Sequence, residues 1–270
     1  MVRNRNKEIF KTEGLLKVEK YFSKDLVKRI HNALWEEIFT QFRIRLEDKS
    51  THPKASLDNQ DVVRLNNMNP VMRKLQDDGV FKEIEEKISS FLLESFPDSL
   101  WKVNESWYSL INFPGNKRTW EVPKNSWHND IPIVSGEELP WSIFVFIPLD
   151  EVTIDHGPTL VIPRSHLEGL KLADEFGVYD KNSIDAFKST NKDLALDFKT
   201  TKLLPVGKLL PLLREGRAFT PEKSFKPLVG SGGDMILFDP RGLHTGSSNV
   251  SNSPRQMIRI DFHLSEKPSF

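Results

Sequence analysis

The chain has 270 residues, with 38 Lys or Arg balanced by 38 Asp or Glu, so its formal charge is zero. That balance argues against nucleic-acid binding, which favours a cationic surplus. The absence of Cys excludes disulfide scaffolds, thiolate metal sites and cysteine nucleophiles, while 18 Phe and 6 Trp supply material for a sizeable core.

The opening stretch MVRNRNKEIFKTEG lacks the apolar run of a secretory signal. The longest apolar run, 143–149, is far short of the about 20 residues that a spanning helix needs. A cytoplasmic protein with no membrane segment is expected. Residues 25–45 place Leu26, Ile30, Leu34, Ile38 and Phe42 on one helical face, with Ser23 as N-cap. Residues 80–96 repeat the pattern through Phe81, Ile84, Ile88, Phe91 and Leu92, and Pro97 ends it. The polar stretch 47–61 between them reads as a loop. Residues 1–100 are therefore expected to form a mostly helical flank.

After residue 100 the pattern shortens. Residues 101–113, 141–149, 159–162, 234–238 and 256–264 read as strands separated by Gly and Pro turns, which predicts a β-sandwich or barrel. The expected barrel core is 101–166 plus 228–264. Residues 167–227 are polar and contain Pro205, Pro211, Pro221 and Pro227. They read as an insertion with some helix, placed as a lid over a single domain spanning 1–270.

Two of the seven histidines stand in suggestive contexts. In Trp127-His128-Asn129-Asp130 an extended backbone points His128 and Asp130 to the same side. His244 follows a predicted strand and Gly242, which permits a sharp turn. Two His and one carboxylate on one face suit non-haem Fe(II) and leave positions open for substrate and O2. His-x-Asp alone is equally compatible with a strand-end His bonded to a turn Asp. Arg255 shifts that balance. If 256–264 runs antiparallel to the strand ending near His244, its guanidinium returns towards the metal and can pair with a carboxylate. The charges then close: a ferrous ion, one Asp, one 2-oxoacid dianion and one Arg sum to zero, as a buried site prefers.

In this order the motifs resemble those of the phytanoyl-CoA dioxygenase family of Fe(II)/2-oxoglutarate oxygenases, over about residues 105–264. Trp127-His128-Asn129-Asp130 resembles W-H-x-D. Leu149-Asp150-Glu151, followed by His156-Gly157-Pro158-Thr159-Leu160 and Pro163-Arg164-Ser165-His166, resembles L-D-D…N-G-P-L…P-G-S-H. Gly233-Asp234 through Phe238 resembles G-D-x-x-x-F. His244-Thr245-Gly246-Ser247, with Asn249, Ser251 and Arg255, resembles H-G-S-x-x-N-x-S-x-x-x-R. The resemblance implies a mainly β fold with flanking helices, a double-stranded β-helix or jelly-roll, cupin-like barrel. It implies His128, Asp130 and His244 as iron ligands and Arg255 as the partner of the 2-oxoglutarate C5 carboxylate. Asn112 and Phe146 are placed by position in the co-substrate pocket. Two departures stand out: Arg164 replaces the family's Gly, and Gly246 occupies the usual place of a hydroxyl residue.

The expected cofactors are Fe(II), 2-oxoglutarate and O2. The expected reaction is oxidation, by preference hydroxylation, of an unactivated C–H in a small-molecule metabolite, releasing succinate and CO2. The carboxylate at Asp130 fills the place that related halogenases leave open for halide. Trp107, Tyr108, Arg64 and Arg241 are candidates for substrate contact; no nucleic-acid or membrane partner is expected. A catalytically silent metal-binding barrel and an oxygenase acting on a protein side chain are the alternatives. The sequence leaves the oligomeric state open.

Overall fold

The computed structural model describes residues 2–53, 64–115, 119–124, 126–176, 203–204, 206–216 and 225–265. Helix α1 (Val2–Glu13) leads through Gly14 into strand β1 (Leu15–Val18). Gly14 sits at φ +68, and a Cβ there would stand 2.6 Å from His166 Nδ1, so no side chain fits. Helix α2 (Lys24–Phe42) begins where the Ser23 side chain accepts the Leu26 N–H. Strand β2 (Arg64–Asn66), helix α3 (Pro70–Asp77) and helix α4 (Lys82–Ser95) complete the flank. The two predicted stripes are the buried faces of α2 and α4, including Leu26, Ile30, Leu34 and Ile38, then Ile84, Ile88 and Leu92. Each such side chain contributes about 1.5–3 kcal/mol by leaving water. The flank is less purely helical than expected, since it donates β1 and β2 to the barrel.

Next come β3 (Trp101–Asn112), β4 (Ile133–Val134), β5 (Ser142–Pro148), β6 (Thr159–Val161) and helix α5 (Ser165–Phe176). They are followed by β7 (Leu203–Leu204), helix α6 (Leu209–Gly216), β8 (Lys226–Pro227), β9 (Met235–Phe238), β10 (His244–Gly246) and β11 (Arg255–Leu264). One six-stranded antiparallel sheet has the order β1-β9-β5-β11-β3-β2. A three-stranded sheet runs β10-β6-β8, and β4 pairs with β7. The fold is mainly antiparallel β with flanking helices, a jelly-roll arrangement.

Alternation along the strands separates two apolar layers. Ile143, Val145, Ile147, Leu237, Ile258 and Ile260 face outward onto the helices. Phe144, Phe146, Ile236, Phe238 and Met257 face the barrel interior, where they meet Val161 and Leu228 of the smaller sheet's side. A third cluster joins Trp127, Leu160 and Leu243 to Ile133, Leu204, Leu209 and Leu213. The described parts of the insertion are thus packed against the barrel end; residues 177–202 and 217–224 lie outside the described residues. One expectation is corrected. β11 is not antiparallel to the strand that precedes His244: β5 stands between β9 and β11 and is antiparallel to both, so β9 and β11 run the same way. Hydrophobic β5 is buried on both faces and belongs in the sheet's interior. No described helix is long and apolar enough to cross a membrane.

Candidate metal centre

His128 and His244, remote in sequence, are joined by backbone. They form an antiparallel bridge in which each N–H donates to the other's carbonyl, at 3.0 and 2.9 Å. Asp130 is fixed next to them by its N–H donating to the Pro240 carbonyl at 2.9 Å. This stapling brings one donor atom each of His128, Asp130 and His244 within 4.8 Å of the others. His128 Nε2 lies 3.4 Å from Asp130 Oδ1, and His244 Nε2 lies 3.5 Å from Oδ2.

The imidazoles are oriented by the nitrogens that face away. His128 Nδ1 stands 2.8 Å from the Ser126 carbonyl and His244 Nδ1 stands 3.2 Å from the Gly242 carbonyl. A carbonyl only accepts, so both Nδ1 atoms carry a proton, and it is the two Nε2 atoms that face Asp130. Burial works against ionisation of Asp130. Hydrogen bonds from His128 and His244 and the Arg259 charge outweigh it, and hold the carboxyl well below the usual carboxylate range. Two imidazoles presenting Nε2, and an ionised carboxylate, are the donor types that a borderline divalent ion accepts once it displaces any proton on those nitrogens. His244 is buried, Asp130 is half-buried and His128 is exposed, so the cluster opens to solvent on one side.

Arg255 occupies the first position of β11, on the interior face shared with Met257 and Arg259. Arg259 NH1 comes within 3.7 Å of Asp130 Oδ2, which places this face beside the cluster. The Arg255 guanidinium is buried; among the described residues its Nε has no hydrogen-bond partner and NH1 meets Met257 Sδ at 3.3 Å. Desolvation alone pushes its pKa down to about 10. A buried cation with no carboxylate among the described residues is costly unless something anionic completes it. The site thus fits a carboxylate-bearing co-substrate.

Phe146 lines the interior opposite Arg259 on β5. Asn112 is Arg255's register partner on β3, but its amide donates to the Gly157 and Ser247 carbonyls at 3.0 Å each. Those bonds hold the 247–254 segment that leads into Arg255. Asn249 completes the tether by donating to the Asn112 and Ser253 carbonyls. The hydroxyls flanking Gly246 are also engaged: Thr245 Oγ1 with Ser126 Oγ, and Ser247 Oγ with the Pro158 carbonyl.

The candidate substrate contacts divide. Tyr108 faces the interior between two guanidinium groups, with Arg64 at 4.8 Å and Arg259 at 4.6 Å from its ring centre. Arg64 is exposed at the edge strand. Trp107 and Arg241 are corrected. Alternation sends Trp107 to the outer face, where it is buried and stacked on Phe81 at 4.5 Å. Arg241 is 1% exposed and paired with Asp239, with Glu137 beyond, so it cannot reach a substrate. Sequence reading also missed Asn129, whose Oδ1 accepts the Gly207 N–H at 2.7 Å and ties the insertion to the His-x-Asp segment. It missed the Arg259–Asp261 pair as well, although the i, i+4 spacing from Arg255 already placed both arginines on one face.

The family described as phytanoyl-CoA dioxygenase (PhyH) matches residues 10–257. No curated protein matches the chain. Among solved structures, AviO1 from Streptomyces viridochromogenes Tue57 is similar at 19% identity and TM-score 0.55, covering 99% of this chain and 96% of that one. The epimerase SnoN in complex with Fe3+, alpha ketoglutarate and nogalamycin RO is similar at 11% identity and TM-score 0.54, covering 97% and 83%. EvdO2 from Micromonospora carbonacea var. aurantiaca, complexed with 2-oxoglutarate, is similar at 14% identity and TM-score 0.53, covering 98% and 93%. At these identities the three structures establish the shared fold.

Proposed function

This chain belongs to the phytanoyl-CoA dioxygenase family, and on that premise we propose that it is an Fe(II)- and 2-oxoglutarate-dependent oxygenase hydroxylating a small-molecule metabolite. The carbon attacked is an unactivated C–H; O2 and 2-oxoglutarate are consumed, and succinate and CO2 are released with the alcohol. The observation that carries this reading is an uncompensated buried Arg255 on the interior face that also meets a His–Asp–His cluster.

His128, Asp130 and His244 would hold the ion. The backbone carbonyls of Ser126 and Gly242 keep the two imidazoles in the metal-binding tautomer. Arg255 would grip the far carboxylate of 2-oxoglutarate, which supplies the missing counter-charge. Asn112 and Asn249 contribute by fixing the segment before Arg255. Phe146 and Met257 keep that end of the chamber dry, which strengthens the charge pairing. The ferrous ion and 2-oxoglutarate together supply the O2-activating power that amino-acid side chains lack. Tyr108 and Arg64 are the described residues best placed to meet a substrate at the chamber mouth.

The test is anaerobic titration with Fe(II) and 2-oxoglutarate, then a substrate screen under O2 scored by succinate release and product mass. A product heavier by one oxygen supports hydroxylation. A mass-neutral stereoisomer moves the reading towards epimerisation, the activity for which the similar SnoN is named. His128→Ala and Asp130→Ala should each abolish succinate formation; full turnover in either would sink the ligand assignment.

A further inference from the structure

The barrel wall beside the cluster contains a buried ion pair that the proposed reaction does not use. Arg259 donates through Nε to Asp261 Oδ1 and through NH2 to Oδ2, each at 2.8 Å. Its guanidinium carbon lies 3.8 Å from the Phe144 ring centre and 4.6 Å from that of Tyr108. Those rings come from β5 and β3, the two strands that flank β11. Arg259 and Asp261 are both buried. A buried ion pair is an expensive filler: well-packed apolar residues of similar volume are often as stable or more so. The surrounding interior residues Phe146, Phe238 and Met257 show that this wall tolerates apolar packing.

The fork is used up on Asp261 except for NH1, and NH1 lies 3.7 Å from Asp130 Oδ2. We infer that Arg259 is a positioning residue for the metal site. Locked by Asp261 and two aromatic rings, it holds the Asp130 carboxylate in the orientation that lets its oxygens meet both histidine Nε2 atoms. Asp261 has a second part. It cancels the guanidinium charge, so the support given to Asp130 brings no net positive charge up to a divalent cation. A lysine cannot substitute, because a single ammonium does not present the same planar fork to Asp261 while reaching Asp130.

This inference rests on the metal-centre reading above, and the experiment separates the two. Purified full-length chain is titrated with Ni2+ by calorimetry without 2-oxoglutarate, well below the melting temperature of each variant. Arg259→Gln/Asp261→Asn keeps a neutral hydrogen-bonded pair, and Arg259→Lys keeps the ion pair. In both, Ni2+ affinity is expected to fall about tenfold, the usual cost of losing an outer partner of a ligand. A purely structural role predicts lowered melting temperatures with Ni2+ affinity within about twofold of the parent, and that result overturns the inference. If the parent itself binds no Ni2+, the metal centre fails and this inference fails with it. If the parent binds and the variants match it, only Arg259's role is refuted.

Discussion

Arg164 stands at φ +66, in the left-handed region that glycine enters freely and an L side chain enters at a cost of roughly 1–2 kcal/mol. The turn geometry of the P-x-S-H segment is therefore kept although its Gly is gone. What the side chain gains is a contact: Nε and NH2 both donate to Glu13 Oε1, at 2.8 and 2.6 Å. That pair ties the end of α1 to the start of α5, but Arg164 is 64% exposed, so the pair is worth at most about 1 kcal/mol. The two effects offset. Arg164→Gly should leave stability within about 0.5 kcal/mol of the parent, while Arg164→Ala, which loses the pair and keeps the strain, should fall about 1 kcal/mol below the Gly variant. Urea melts of the three proteins check this; an Ala variant as stable as the Gly variant would refute the strain. The sequence showed the departure at position 164, but its compensation depends on Glu13, which no local pattern connects to it.

The turn between β9 and β10 carries the backbone that positions His244 and Asp130, and it is held by buried charge. Arg241 donates to both Asp239 oxygens and to the Glu137 carbonyl, and all three side chains are buried. One guanidinium cannot neutralise two carboxylates. Asp239 is held below the usual range despite its burial, chiefly by the Arg241 charge, whereas desolvation pushes Glu137 up to about 8. Glu137 thus keeps its proton when folded and loses it near pH 4.3 when unfolded. The folded state binds the extra proton between those values, so stability falls as pH rises from about 4.5 towards 8, with a slope approaching 1.4 kcal/mol per pH unit. Glu137→Gln should flatten that decline in denaturant melts taken at pH 5, 6, 7 and 8; an unchanged slope would show that Glu137 is ionised in the native state. The same turn shows why Arg241 was misread. A run such as Asp239-Pro240-Arg241-Gly242 looks like an exposed corner, and only its tertiary partners, Glu137 and the Gly14 carbonyl that accepts the Asp239 N–H, reveal a buried one. The strands were easier. β3, β5, β9 and β11 announced themselves by apolar alternation or density, while β4, β7 and β8 are two residues each, too short to carry a period.

At the scale of the whole molecule, the site is assembled from separate parts of the chain, so ligands should stabilise the fold as a unit. Ni2+ at a hundred times its dissociation constant should add about 2.7 kcal/mol, and raise the melting temperature by roughly 5–10 °C. The His128→Ala variant should show no such rise in differential scanning calorimetry, and a rise equal to the parent's would place the ion elsewhere. The meeting of His128, Asp130 and His244, and the interior place of Arg255, were legible because extended backbone and short motifs fix which side chains share a face. The Arg259–Asp261 pair's bearing on Asp130 was not, because it depends on how the two sheets close on each other. Nor was the pairing of β11, which the sequence places last and the sheet places between β3 and β5. That placement has a consequence for synthesis. Until residues 255–264 leave the ribosome, β3 and β5 are greasy neighbours with no partner between them, and an edge of that kind invites association with other nascent chains. A premature stop just ahead of Arg255 would therefore leave a polypeptide prone to clump, and would remove the buried guanidinium and the sheet's centre at one stroke.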